Sequence, residues 1–192
     1  MADAAKSPPN PFWDFTLAVY RRDGVSAACI ALQDRLGLDV NFLLLCVFAG
    51  AQDTVLSGGD LARLEMRAAP WRQSVIHPLR QVRRWLKDQT LLPREVVDAL
   101  RRGVLAQEIE AEGMQQSLMG AEFEFTPQPA APGLGAAARN LARYLAFARV
   151  SPDAEDVANL ATLLSRALAP EASRSPGDSL RACLREAGVE LR

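Results

Sequence analysis

Ten consecutive residues, Phe42 to Ala51, carry no charged side chain, and past Gln52 and Asp53 the apolar run reaches Leu56. Crossing a bilayer takes about 20 apolar residues, so this stretch reads as a core helix. A helix apolar on nearly all sides has to sit centrally, with other elements covering it. The chain has the means to do so: 49% of its 192 residues are apolar, ample for a real core.

The elements expected to give that cover are helices. Asn10-Pro11 is a capping residue followed by proline at the first helical position, where a missing N–H costs nothing. Phe12, Phe15 and Val19 then form a stripe with Trp13 and Leu17 beside it, ending near Asp23-Gly24. Val25, Ala28, Cys29, Leu32 and Leu36 follow at spacings of three and four, and Gly37 suits the left-handed close of a helix. Asp39 or Asn41 caps the apolar helix, expected over 42–56 and stopped by Ser57-Gly58-Gly59. Asp60 is expected to cap a short helix over 61–68, divided by Pro70 from a longer one over 71–87.

Leu92-Pro93-Arg94-Glu95 opens a long helix to about Ala121, which Gly103 and Gly113 weaken without ending. Its apolar side carries Val96, Val97, Leu100, Val104, Leu105, Ile109, Met114 and Leu118. Further helices are expected over 136–150, from Ser151-Pro152 through Leu168, and over 179–187. Alternating strand patterns are missing, apart from a short candidate at Phe123–Thr126, and there is no internal repeat.

The pattern predicts an all-α fold: an irregular orthogonal bundle of about five helices with a linker-tethered helical C-terminal region. Residues 126–135, TPQPAAPGLG, hold three prolines, two glycines and no charge, and mark the expected linker. The expected division is a flexible N-terminus over 1–9, a helical domain over 10–125, the linker, and a helical region over 136–192.

Twenty-two basic residues against 23 acidic ones leave a net charge of -1, so bulk electrostatics draw the chain toward neither nucleic acid nor anionic lipid. Residues 1–10 show no charged-then-apolar signal pattern, and Cys29, Cys46 and Cys183 are widely spaced within apolar pattern. Both features point to a reducing cytoplasm and no disulfide.

Candidates for chemistry are few. His77 is the single histidine and no cysteine pair has metal-ligand spacing, so neither a metal nor another cofactor is expected. Gly58-Gly59 is followed by Asp60, not by the lysine and hydroxyl of a phosphate loop. Ser74 would share a helix face with His77, but no oriented third partner is identifiable. Arg80, Arg83, Arg84 and Lys87 form the one concentrated basic surface, with Arg72 beside it. Such a stripe binds phosphates or an acidic helix, or pairs with Glu95, Asp98 or the run Glu108, Glu110, Glu112. Near the front, Asp14, Asp34 and Asp39 lie among apolar residues with Gln33 and Asn41. They are read either as helix caps and first-turn charges or as a polar ligand pocket framed by Trp13 and Phe42.

The segments Asn10-Pro11-Phe12-Trp13, Leu32-Gln33-Asp34 and Gly37-Leu38-Asp39-Val40-Asn41, followed by leucines and Cys46, together make a recognisable pattern. Over roughly Asn10 to Ala121 the chain resembles a family of small bacterial helical proteins known only as a domain of unknown function. It departs from that family at Phe48, where a second tryptophan is usual. The resemblance implies a cytosolic bacterial helical protein and names no reaction or catalytic residue. With no metal set, nucleophile–base pair or phosphate cradle, the expected role is a non-enzymatic module binding another protein. The alternative is a ligand binder or enzyme using Trp13, Asp14, Gln33, Asp34, Asp39 and Asn41. Nucleic acid, through the basic stripe, is the least expected partner.

Overall fold

The structure is a computed structural model describing residues 10–122, 133–168 and 175–192. Those residues are helical or in turns, with no strand among them, so the fold is all-α. Residues 1–9, the strand candidate Phe123–Thr126 and all but the end of the expected linker lie outside them. The described residues divide into two compact units, one from Met1–Leu61 with Glu124–Arg192 and the other from Ala62–Phe123. The C-terminal helices share a unit with the first helices.

The first unit is built on α3, Val40–Ala51, whose residues from Asn41 to Gly50 are all buried. Asp39 caps it, its Oδ1 accepting the Asn41 N–H at 2.8 Å. The helix ends at Ala51, short of the expected Leu56, with Asp53 in the left-handed region at φ 53°. What stops it is a side chain far away in sequence. Asn140 is fully buried on α7, Leu134–Ala148. Its Oδ1 accepts the Leu56 N–H at 2.8 Å, and its Nδ2 donates to Thr54 O at 2.8 Å and Cys46 O at 3.1 Å. The segment after α3 therefore exchanges helical bonds for two bonds to one amide, whose third bond ties it to α3 itself.

Helix α7 packs along α3. Their approach is close enough that a Cβ on Gly50 would collide with the backbone and side chain of Ala137. Buried alanines at 136, 137, 138 and 142 keep that face of α7 thin. Lower down, Phe42 stacks on Tyr144 with ring centroids 5.1 Å apart, and the Tyr144 hydroxyl accepts the Asp39 N–H at 3.0 Å.

Around this pair lie α1, Pro11–Tyr20, α2, Val25–Leu36, α8, Ala154–Ala167, and α9, Pro176–Glu186. Helix α2 packs on α8, and α9 on both α7 and α8. Arg35 ties α2 to α8 through Asp153, Glu155 and the fully buried Asp156, with Nε to Asp156 Oδ1 at 2.8 Å. Asp153 and Asp156 also exchange the reciprocal bonds of a capping box at the start of α8. Helix α9 begins at Pro176, three residues before the expected start, with proline at its first position.

The chain passes into the second unit within α4, Gly58–Trp71. Here two expectations are corrected. The helix starts earlier than Leu61 because Ser57 and Asp60 bond reciprocally: Asp60 N–H donates to Ser57 Oγ and Ser57 N–H to Asp60 Oδ2. It also does not end at Pro70. It continues through a π-helical turn, Arg72–Ile76, into α5, His77–Lys87. Proline removes one helical bond and crowds the carbonyl four residues back. Interactions across it hold the helix together: Arg72 pairs with Glu65, and the Trp71 indole N–H donates to Ala111 O at 2.9 Å. The wide turn just before Pro78 leaves room for that second ring, and His77 N–H reaches Arg72 O. Helix α6, Arg94–Gly120, returns antiparallel: Arg67 pairs with Glu122, Arg83 with Glu108, and Arg94 donates to Lys87 O.

Two substitutions test the α3–α7 packing. Gly50→Ala forces the helices apart and is expected to cost about 2–3 kcal/mol, as overpacked sites do. Asn140→Ala strands a buried N–H and two carbonyls and is expected to cost about 3 kcal/mol or more. Urea denaturation of each variant against wild type reads both, and losses below about 1 kcal/mol would mean that this contact does not organise the unit.

Candidate functional site

The two motif segments at the front of the chain are placed by backbone needs. Asn10 Oδ1 accepts the Trp13 N–H at 3.2 Å and Pro11 opens α1. Phe12 is buried against Phe48 with centroids 5.3 Å apart, and Phe15 lies at the same distance from Phe48. Gly37 takes φ 68° to close α2, its N–H donating to Gln33 O at 2.9 Å. Leu38 is buried and Asp39 caps α3.

Of the proposed pocket residues, Asp39 and Asn41 are brought together by that cap, and Asn41 is buried. Trp13 is half-buried and Asp14 exposed in the first turn of α1, where its charge favours the helix N-terminus. Gln33 is half-buried and Asp34 exposed on α2. An open depression of about 670 Å³ in this unit lies elsewhere, between Arg21, Arg22 and Asp23 after α1 and Ser165 to Leu168 at the end of α8. Both walls are helix C-termini, and Arg22 donates to Arg166 O. Arg22 there serves an exposed helix carbonyl.

His77 and Ser74 are both exposed. Cys29 and Cys46 are fully buried, and burial pushes the Cys29 thiol up to about 12 and raises that of Cys46 as well. Neither is a nucleophile at neutral pH. Among the described residues no group of three or more His, Cys, Asp or Glu side chains is placed to hold a metal, and no helix is long and apolar enough to cross a membrane.

The α5–α6 hairpin is different in kind. Its basic stripe turns partly inward. Arg80 Nε donates to Glu108 Oε1 at 2.9 Å and its Nη2 to Glu112 Oε1 at 2.8 Å, while Arg83 bonds both Glu108 oxygens. Glu108 is 3% exposed. Arg84 and Lys87 stay at the surface. With Arg80 and Arg83 drawn into the hairpin, large apolar side chains stand at its surface among the remaining charges. Among the described residues, eleven of the fifteen exposed large apolar side chains belong to Ala62–Phe123. Trp85 is 59% exposed and Leu91, in the connection to α6, 80%. Val82, Leu92, Val96, Leu100, Leu105, Ile109, Met114 and Leu118 are exposed too. The spacing of these residues on α6 is visible in the sequence as an apolar side. Their exposure is not, because periodicity cannot say whether a neighbour covers a face.

Burial by itself would raise the Glu108 pKa, but the hydrogen bonds and charges of Arg83 and Arg80 outweigh it and hold the carboxyl below the ordinary value of 4.5. A carboxylate depressed in the folded state contributes stability that is present above its unfolded pKa and lost as pH falls through the folded one. Glu108→Gln is therefore expected to be less stable at neutral pH and to show a shallower decline from about pH 5 to about pH 3. Urea titrations across that range check it; parallel curves for the two proteins would assign the linkage elsewhere.

Residues 11–119 match the sequence profile of a family described as "Protein of unknown function (DUF2390)". No curated protein and no solved structure matches the chain.

Proposed function

Because the chain belongs to the DUF2390 family of proteins of unknown function, its role has to be read from its own surface, and we propose that it is a non-enzymatic cytoplasmic module that binds another protein through the α5–α6 hairpin. The observation carrying this reading is the concentration of exposed apolar side chains on that hairpin, led by Trp85. Soluble chains seldom expose contiguous apolar surface on this scale unless something binds there, and tryptophan is a frequent interface anchor. The first unit offers less: its motif residues cap helices and fill the core.

The basic stripe supports this reading over nucleic-acid binding. Arg80 and Arg83 already pair with Glu108 and Glu112, so turning either to a phosphate would take a partner from the largely buried Glu108.

Affinity capture from the native cell lysate, with wild type, Trp85→Arg and an Asp39→Ala, Asn41→Ala variant side by side, tests the proposal. Proteins retained by wild type are expected to be lost from Trp85→Arg and kept by the double variant, with circular dichroism confirming that all three are helical. Retention by Trp85→Arg would sink the proposal. A small molecule retained by wild type and lost from the folded double variant would move the site to the α3 N-terminus.

A further inference from the structure

Resting on that reading, we infer that the partner of the hairpin is a second copy of this chain, two hairpins closing face to face into a four-helix bundle.

Six of the exposed residues share one side of the hairpin, while Leu105 and Ile109, each one residue after an inward position, lie on the opposite flank. On α6, Val96, Leu100, Met114 and Leu118 each stand one residue before an inward position: Val97, Gln115 and Met119 are buried and Arg101 is half-buried. On α5, Trp85 precedes the buried Leu86, and Val82 precedes Arg83, which pairs with Glu108. Stepping back one residue turns a helix position by about 100° in a constant sense. In an antiparallel hairpin that displacement falls on the same side of both helices. Val82, Trp85, Val96, Leu100, Met114 and Leu118 thus line one side of α5–α6. Between them on α6 lie Gly103 and Gln107, at the spacings of three and four that a packed helix seam uses.

Three properties of this face fit a second copy. A two-helix unit of about 60 residues has one helix–helix contact and leaves much of its apolar surface uncovered, whereas two such hairpins complete a four-helix core. A standard interface takes about 800 Å² from each partner. Six large apolar side chains between 38% and 59% exposed, with Gly103 and Gln107 among them, present a surface of that order. The rim is of mixed sign: Arg84 precedes Trp85, Glu95 precedes Val96, Arg102 precedes Gly103, and Glu110 lies beside the seam. A two-fold interface sets a patch against itself, so a rim carrying both signs can pair with its own copy where a single-sign rim would repel it.

Gly103 adds a local reason. It sits inside a 27-residue helix at a point where a Cβ would meet nothing within 4 Å. Nothing among the described residues requires glycine there, but a helix crossing the seam at that point could approach closely.

Sedimentation equilibrium of the full chain from about 1 to about 100 μM is the test, since a standard interface gives affinities in or below that range. Wild type is expected to be a concentration-dependent dimer, with association weakened at least about tenfold by Trp85→Arg. Gly103→Glu is expected to weaken it similarly while keeping or raising thermal stability, because glutamate is the better helix former and the site is open. That second variant separates lost docking from lost folding. A wild-type chain that stays monomeric overturns the inference, as does a dimer that both variants leave intact. If wild type is monomeric yet Trp85→Arg abolishes capture of another protein, the second-copy inference falls and the interaction-module reading stands. If Trp85→Arg changes neither association nor capture, both fall.

Discussion

The close approach of α3 and α7 is the contact on which the first unit depends. Helix α3 is buried from Asn41 to Gly50 and has no polar side to give to water, so it requires cover all around. Gly50 and the alanine face of α7 bring the two backbones together, and close packing of small side chains leaves little tolerance for added volume. Asn140 then does what a buried polar group must, satisfying and being satisfied, and in doing so decides where α3 ends. Tyr144 closes the other end against Phe42 and the Asp39 backbone. With this pair set, Phe48 is in place to receive Phe12 and Phe15 of α1, and α9 packs on α7.

The hairpin unit has a more mixed distribution, burying Leu64, Ile76, Leu86, Val97 and Met119 beside charged groups. Its interior contains ionic groups: Glu108 between Arg80 and Arg83, with Gln115 and Gln116 also buried, while leucine, valine and tryptophan side chains face outward. Buried ion pairs add little net stability compared with apolar packing, but they are costly to break, so they hold the register of α5 on α6 more than they strengthen it. That arrangement suits an element whose outer face is completed by something else. It also explains why the chain's one basic concentration is a poor footprint for phosphate: two of its arginines are already engaged with carboxylates.

Several residues of the motif segments that suggest a pocket in the sequence have local backbone roles in the structure. Asn10, Gly37 and Asp39 each satisfy the end of a helix, while Phe12, Leu38 and Asn41 are buried beside them. Cap and core residues are constrained as tightly as residues of a ligand site, so a short distinctive pattern does not separate the two. The exposed face of α5–α6 is the reverse case. Val96, Leu100, Met114 and Leu118 are plain in the sequence as an apolar side, yet only their accessibility in the folded chain marks them as surface.

What the sequence by itself determined is what local physics governs: that the chain is helical, that a helix carries Val25 to Leu36 and another opens within Leu92–Glu95, that Asn10 caps and Gly37 closes, that Asp39 or Asn41 caps the apolar helix, and that this is a core helix. Each follows from side-chain spacing and from the orphan groups at helix ends, which act over three or four residues. What only the tertiary structure decided involves partners beyond one helical turn, most of them tens of residues apart. Asn140 holds the segment after α3 through Leu56, 84 positions earlier. Trp71 reaching Ala111 and Arg72 pairing with Glu65 carry the helix past Pro70, and Arg35 meets Asp156 across 121 positions. The grouping of the C-terminal helices with the first three, and the pairing of Arg80 and Arg83 with Glu108, belong to the same class. A proline or a run of arginines has one local meaning and several tertiary ones, and the choice among them is made by whichever distant side chain packs beside it.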